Sequence, residues 1–171
     1  SKLKTVYGTR AITAGNAPGM NDGATAILVM TRRRVKELGL EPLATVVAQV
    51  SIAIKASRMP EGPGYAIQKV LEMADMSIGD MAAMEINEAF ACVPLVSTKL
   101  IAGNDRKKLK EIRDKTNING SAIAIGHPNT ASGARIIMNL MYELRRRGGG
   151  YALGAICGGL AQADATIIKV E

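Results

Sequence analysis

The chain has 171 residues, 47% of them hydrophobic and 22% charged, enough for one domain with its own core and too short for two ordinary ones. Aromatic residues are scarce at 3% with no Trp, so the core must be filled by Ile, Val, Leu, Ala and the nine Met. The formal charge of +7 comes from clusters at 32–34, 106–115 and 145–147 without interleaved aromatics; that argues against nucleic-acid binding and for solvated helix ends or an anionic small ligand such as a nucleotide diphosphate tail.

In chain order, Asn21-Asp22-Gly23 reads as a turn and residues 24–30 as a short apolar strand. Thr31 caps a helix through Leu38 that Gly39 ends. Residues 43–54, rich in Val and Ile, read as a long buried strand. Beyond the breakers Met59-Pro60-Glu61-Gly62-Pro63-Gly64, the spacing of Ile67, Val70 and Leu71 predicts a helix over 65–74. A turn at 77–80 leads to a strand over 81–86. A helix over about 89–100 follows, with Val93, Val96 and Leu100 on one stripe and Pro94 kinking it or marking its true start. Residues 104–116 form a polar, helical surface excursion, and Asn119-Gly120 breaks the chain before 121–125. The strongest helix spans about 132–147, with Ile136, Ile137, Leu140, Met141 and Leu144 inward. Arg145, Arg146 and Arg147 suit its C-terminal end, and Gly148 is a natural terminator. Two closing strands, 151–156 and 165–170, are joined too tightly for a crossover and are expected to be antiparallel neighbours. The fold class expected is α/β, a mixed sheet with helices on both faces.

Cys92 and Cys157 match no Cys-x-x-Cys pattern, and there is one histidine, so neither a disulfide scaffold nor a metal site is expected. No apolar run reaches the length of a membrane span, and the start, Ser1-Lys2-Leu3-Lys4, shows no signal-peptide apolar region. The expectation is a cytoplasmic protein with neither membrane nor nucleic-acid partner.

Three segments carry residues suited to proton transfer. His127 lies in Gly126-His127-Pro128, before a helix start; Pro128 restricts its backbone and Gly126 allows close approach by a ligand or a second backbone. A lone His is commonly structural, but a neutral imidazole here can take a proton from a thiol and later donate to an oxyanion. Cys157 ends an apolar strand before Gly158-Gly159; it is either a small packing residue or a thiol beside free backbone N–H donors. Asn87, after the apolar Met84-Glu85-Ile86, is either a turn residue or a holder of water or a ligand carbonyl. Cys92 sits within a helix, where packing is its simpler role. The Gly148-Gly149-Gly150 run has neither a P-loop nor a dinucleotide-binding spacing.

In order, residues 13–24, Asn87-Glu88-Ala89-Phe90, Asn119-Gly120 through Gly126-His127-Pro128 to Ala131-Ser132-Gly133-Ala134-Arg135, and Cys157-Gly158-Gly159 resemble the C-terminal half of a thiolase, an acetyl-CoA acetyltransferase. The resemblance covers essentially the whole chain. It implies that residues 1–22 are the end of the segment beside the pantetheine and 23–171 the C-terminal domain. This half would pair with a second one into αβαβα layers.

The resemblance also implies roles. His127 would activate a nucleophilic cysteine of the N-terminal half, and Cys157 would exchange the α-proton of acetyl-CoA, for which its thiol must be tuned downward. The enolate oxygen would be held by His127 and a water on Asn87, and the Gly159 N–H would serve the oxyanion hole. Ala17, Pro18, Gly19 and Phe90 would line the substrate. Coenzyme A thioesters are then substrates, with no separate cofactor. Departures from the family pattern are Pro18 for a common Ser, Asn129-Thr130 for an apolar-Gly pair, and Leu160-Ala161-Gln162-Ala163 in a usually glycine-rich stretch. Neither Cys92 nor Cys157 matches the nucleophile. A heteromer with a separately encoded or cleaved N-terminal half is therefore expected, as a dimer or tetramer of such pairs, with the face of the 131–144 helix as the buried layer. The alternative is a thiolase-like subunit without turnover that binds acyl-CoA or lipid or acts as a scaffold. A ketoacyl synthase would use a different final motif.

Overall fold

The computed structural model describes residues 2–171; Ser1, the first residue of the 1–22 segment, lies outside the described residues. After an irregular N-terminal segment come α1 (Arg32–Glu37), β1 (Thr45–Ala53), α2 (Gly62–Met73), β2 (Met81–Ile86), α3 (Cys92–Ala102), α4 (Arg106–Asp114), the single turn α5 (Ala122–Ile125), α6 (Ser132–Arg147), β3 (Gly150–Cys157) and β4 (Gln162–Val170). Local chemistry sets the ends. The Thr31 hydroxyl accepts the Arg34 N–H at 3.3 Å to start α1. Gly148 ends α6 in the left-handed region at φ 88°, with Arg145, Arg146 and Arg147 in the last turn.

The four strands form one sheet in the order β1-β4-β3-β2. β3 and β4 pair antiparallel, with Cys157 opposite Ala163, because the intervening loop is too short for a crossover. β2 and β3 run parallel, with Ile86 opposite Ala155; α6 supplies the crossover that parallel pairing requires. Side-chain alternation along the strands splits the core in two. Met84 and Ile86 of β2, Leu153 and Ala155 of β3, and Ala163, Ala165 and Ile167 of β4 face α2 and α3. Ala83, Ala152, Ile168 and Val170 face Ile136, Leu140 and Leu144 of α6. Helices therefore lie on both faces, but unequally: two long helices cover one face and α6 the other.

The structure corrects several sequence expectations. Residues 24–30 form no strand: no ladder partner exists for them among the described residues, and Leu28 and Val29 are exposed. β1 is an edge strand with Val46 and Val47 exposed rather than a buried one, since only its β4 side is paired. α2 begins inside the Pro/Gly segment, because Pro63 at the first turn needs no backbone N–H partner. Pro94 likewise lies in the first turn of α3 and marks its start rather than a kink. The buried stripe of α3 is Val93, Ser97, Thr98, Ile101 and Ala102; Val96 and Leu100 are only half-buried. Ile137 and Met141 of α6 are also half-buried. No helix among the described residues is long and apolar enough to cross a membrane.

The distance between α6 and the sheet depends on Gly154 of β3, where a Cβ would lie 2.8 Å from Ile136 Cγ2 and 3.0 Å from Ile137 Cδ1. Ile136 is branched and fully buried, so it cannot swing aside. Gly154→Val is expected to lower stability by roughly 1–3 kcal/mol through overpacking, read as a lower midpoint in urea.

Candidate active site

The parallel pair β2 and β3 exits the sheet at one end, and the site is built there. Asn87 follows β2 directly and is fully buried, and its N–H donates to Ala155 O at 2.9 Å. Beside β2 runs residue stretch 115–117: Met84 N–H donates to Lys115 O at 2.8 Å and Asn117 N–H to Met84 O at 2.9 Å. The Asn117 side chain then takes both backbone groups of Ile86, accepting its N–H at 2.8 Å and donating to its carbonyl at 3.0 Å. A side-chain amide thus finishes the edge of β2 immediately before Asn87.

His127 is held from three directions. Its backbone N–H donates to Gly19 O at 3.0 Å, and Met20 bridges to it in parallel fashion. Gly126, at φ 98°, accepts the Asn21 side chain where a Cβ would fall, and Gly23 packs under Pro128 with the same consequence. The Thr25 hydroxyl donates to Ala131 O at 3.1 Å. The imidazole itself lies with Nδ1 2.7 Å from the buried Ser132 Oγ and Nε2 3.4 Å from Asn87 Nδ2. An amide N–H₂ facing Nε2 requires a lone pair there, which puts the ring proton on Nδ1, donated to Ser132. Nε2 is then the free base. Burial, followed by the Arg135 charge, lowers the His127 pKa below the usual imidazole value, so the ring is neutral at neutral pH. Asn87 Oδ1 is buried with no hydrogen-bond partner among the described residues, an acceptor left at a cost of about 1–3 kcal/mol.

Cys157 is the last residue of β3 and is 8% exposed. Strand parity turns it toward the α2/α3 face, into the cluster that Phe90 and Cys92 pack against, whereas Asn87 and His127 meet on the α6 side. Burial pushes its thiol up to about 11, opposite to the downward tuning expected from sequence, because the cluster around it is apolar. Gly159 opens a short 3-10 turn, with nothing within 4 Å of where a Cβ would be. Leu160 and Ala161 follow at φ 60° and 62°, left-handed conformations that favour glycine.

Of the remaining candidates, Ala17 is buried, Pro18 is half-buried and Gly19 is exposed; the Gly19 carbonyl carries His127. Phe90 is half-buried, with Tyr7 edge-on at 6.4 Å. The structure therefore brings Asn87, His127 and Gly19 together and sets Cys157 at the end of the neighbouring strand. Sequence reasoning missed Ser132, Asn117, Glu85 and Arg135. A carboxylate inside the apolar run 81–86 and an arginine in an apolar first turn were the available signals. Among the described residues, no group of three or more His, Cys, Asp or Glu side chains could hold a metal ion.

The thiol shift fixes a pH dependence. Its folded value, about 11, exceeds the ordinary thiol value of 9.0, so above pH 9 the unfolded chain loses the proton first and stability falls as pH rises toward 11. Urea unfolding is expected to weaken across that window by on the order of 2 kcal/mol in the wild type, relative to Cys157→Ala.

Comparison with known proteins agrees with the motif pattern. Residues 40–170 match the family described as thiolase, C-terminal domain. The chain is 40% identical to the acetyl-CoA acetyltransferase of Syntrophomonas wolfei over 159 residues, 93% of this chain and 39% of that protein. It is 42% identical to the mitochondrial 3-ketoacyl-CoA thiolase of Bos taurus over 170 residues, 99% of this chain and 41% of that one. The crystal structure of human mitochondrial 3-ketoacyl-CoA thiolase in complex with CoA superposes with a TM-score of 0.88 at 41% identity, covering 99% of this chain and 41% of the human one. The chain thus spans about two-fifths of the length of the relatives it matches. It belongs to the thiolase family and carries that family's C-terminal domain.

Proposed function

We propose that this chain is the C-terminal part of a thiolase that transfers acyl groups and makes or cleaves the carbon–carbon bond of a 3-oxoacyl-CoA, with the nucleophilic cysteine supplied by an N-terminal half. The observation that carries this reading is the neutral His127, its Nε2 facing Asn87 and its Nδ1 anchored on Ser132. In this reading Nε2 takes the proton of the partner cysteine, whose thiolate attacks the acyl-CoA carbonyl and expels CoA as a thiolate that takes the Cys157 proton. Cys157, now a thiolate, removes the α-proton of acetyl-CoA. The enolate oxygen is held by the His127 imidazole, now carrying the proton, and by a water on the Asn87 amide. The enolate carbon then attacks the acyl-enzyme carbonyl, whose oxyanion the Gly159 N–H helps to hold, and expels the partner cysteine as thiolate. Ala17, Pro18, Gly19 and Phe90 line the thioester arm, residues 1–22 forming its side of the site and 23–171 the C-terminal domain.

The unequal cover of the sheet supports the partner. On the α6 side, Leu28, Val29, Leu40, Val46 and Tyr142 are exposed around a groove that also reaches Met141. Apolar area of that kind is worth about 25 cal/mol per Å² when covered. The relatives extend beyond the matched part by about three-fifths of their own length, which would be a body of the right size. Pairs of halves would assemble as dimers or tetramers in the cytoplasm, a placement that suits two free cysteines. One observation favours the other reading, a subunit that binds acyl-CoA or lipid without turnover: the Cys157 thiol, at about 11, is not poised as a base in this chain.

Native mass spectrometry of gently purified protein separates the two. A second chain of similar size or larger bearing a reactive cysteine is expected; a homogeneous assembly of this chain alone would leave the binding reading. In the assembled enzyme, Cys157→Ala is expected to abolish condensation while acyl transfer to the partner cysteine persists, followed with radiolabelled acetyl-CoA. His127→Ala is expected to slow both half-reactions by about 10²–10⁴-fold. Wild-type acylation in that variant would remove His127 from the assignment.

A further inference from the structure

Glu85 is the one charged residue of β2, and it is 4% exposed. Strand alternation places Ala83, Glu85 and Asn87 on the side that faces α6. The Glu85 carboxylate is surrounded by donors from separate segments. Arg135, in the first turn of α6, pairs with Oε1. Ser121, which opens the stretch leading to His127, donates to the same oxygen at 2.9 Å. Asn139, one turn further along α6, reaches Oε2 at 3.5 Å. Arg135 also approaches Ser121 Oγ at 3.4 Å. Each segment tied to this carboxylate has a member of the site within six residues: Asn87 directly follows β2, the 121–127 stretch ends on His127, and α6 opens on Ser132.

We infer that Glu85 and Arg135 are positioning residues that fasten these three segments together and set the charge environment of the His127 imidazole. The inference rests on the proposed role of His127 and Asn87, but its consequence is electrostatic and independent of turnover. The titratable and charged groups on the segments against His127 are Asp22 on the N-terminal stretch, Glu88 after β2, Cys157 at the end of β3 and Arg135 on α6. Glu88 is engaged, its Oε2 accepting the Ile123 N–H at 3.0 Å. Arg135 is the group whose charge acts on the imidazole, in the direction that keeps it neutral. Glu85 carries the opposite charge and is paired with Arg135, so its removal leaves that cation uncompensated. An effect of the pair on the charge felt by His127 is what a purely mechanical brace would not produce.

Because this chain has a single histidine, its imidazole can be titrated without assignment. The test uses the purified protein with ¹⁵N-histidine in this chain alone, and reads the ring midpoint and tautomer by NMR. Glu85→Gln keeps an acceptor for Ser121 but leaves the Arg135 charge unbalanced, so the midpoint is expected to fall further, by roughly half a unit or more. Arg135→Met removes the cation and is expected to raise it by a similar amount, and Arg135→Lys to hold it near the wild-type value. A brace alone would let water in and drive both Glu85→Gln and Arg135→Met upward, toward an ordinary imidazole; that result, or no movement in Glu85→Gln, overturns the inference. Should Arg135→Met fail to fold, Glu85→Gln and Arg135→Lys decide the question by themselves. Loss of turnover in the assembled enzyme with these midpoints as expected would count against the proposed reaction and leave the positioning pair standing.

Discussion

A carboxylate near the end of a buried strand is the constraint around which this domain is arranged. Burying an unpaired charge costs several kcal/mol, so Glu85 requires a cation and further donors wherever β2 meets α6. Arg135 meets that requirement only if α6 starts where it does, with Ser132 at its first position. Once α6 is so placed, Ser132 lies under the imidazole and Gly154 must be small for the helix to reach the sheet. The apolar stripe Ile136, Leu140 and Leu144 supplies most of the adhesion but would tolerate a sliding helix; the polar pair removes that freedom.

The same helix leaves one side of the sheet less covered than the other. The α2/α3 face holds the larger core, closed by Ile67, Val70, Val93 and Ile101. The α6 face leaves Val46, Tyr142 and the irregular 24–30 segment in water. The apolar stretch 24–30 has strand chemistry but pairs with no strand among the described residues, although the outer edge of β1 is unpaired. Its apolar sequence and its exposed, irregular conformation disagree in a domain otherwise consistent from propensity to packing.

Much of the fold was legible in the sequence because its elements are bounded by strong local signals. Thr31, Gly39 and Gly148 mark helix ends by capping chemistry alone, and the tight β3–β4 connection dictates antiparallel pairing. Positions that depend on distant neighbours were not legible. β1 is apolar enough to read as buried, yet only its place at the sheet edge decides its exposure. Val96 and Leu100 fit a helical stripe, but the true stripe includes Ser97 and Thr98, which bond to carbonyls and so tolerate burial. At the site, His127, Asn87 and Cys157 stand out by residue type. Ser132 and Asn117 do not, since a serine or asparagine reveals its role only through what lies opposite it.

His127 and Cys157 are driven apart in titration by their surroundings, and that separation defines what each is able to do. His127 is held neutral by burial and by Arg135, so it is an acceptor at neutral pH. Cys157 is held protonated by an apolar cluster, so it is a donor under the same conditions. A protonated thiol suits the step in which a carbanion is quenched; the reverse step needs a cation or a base brought to it. Hydrophobic residues of the α2/α3 core surround Cys157, and Arg135 lies across the sheet with Glu85. The domain as folded therefore holds a neutral imidazole and a masked thiol, pushed in opposite directions by their surroundings.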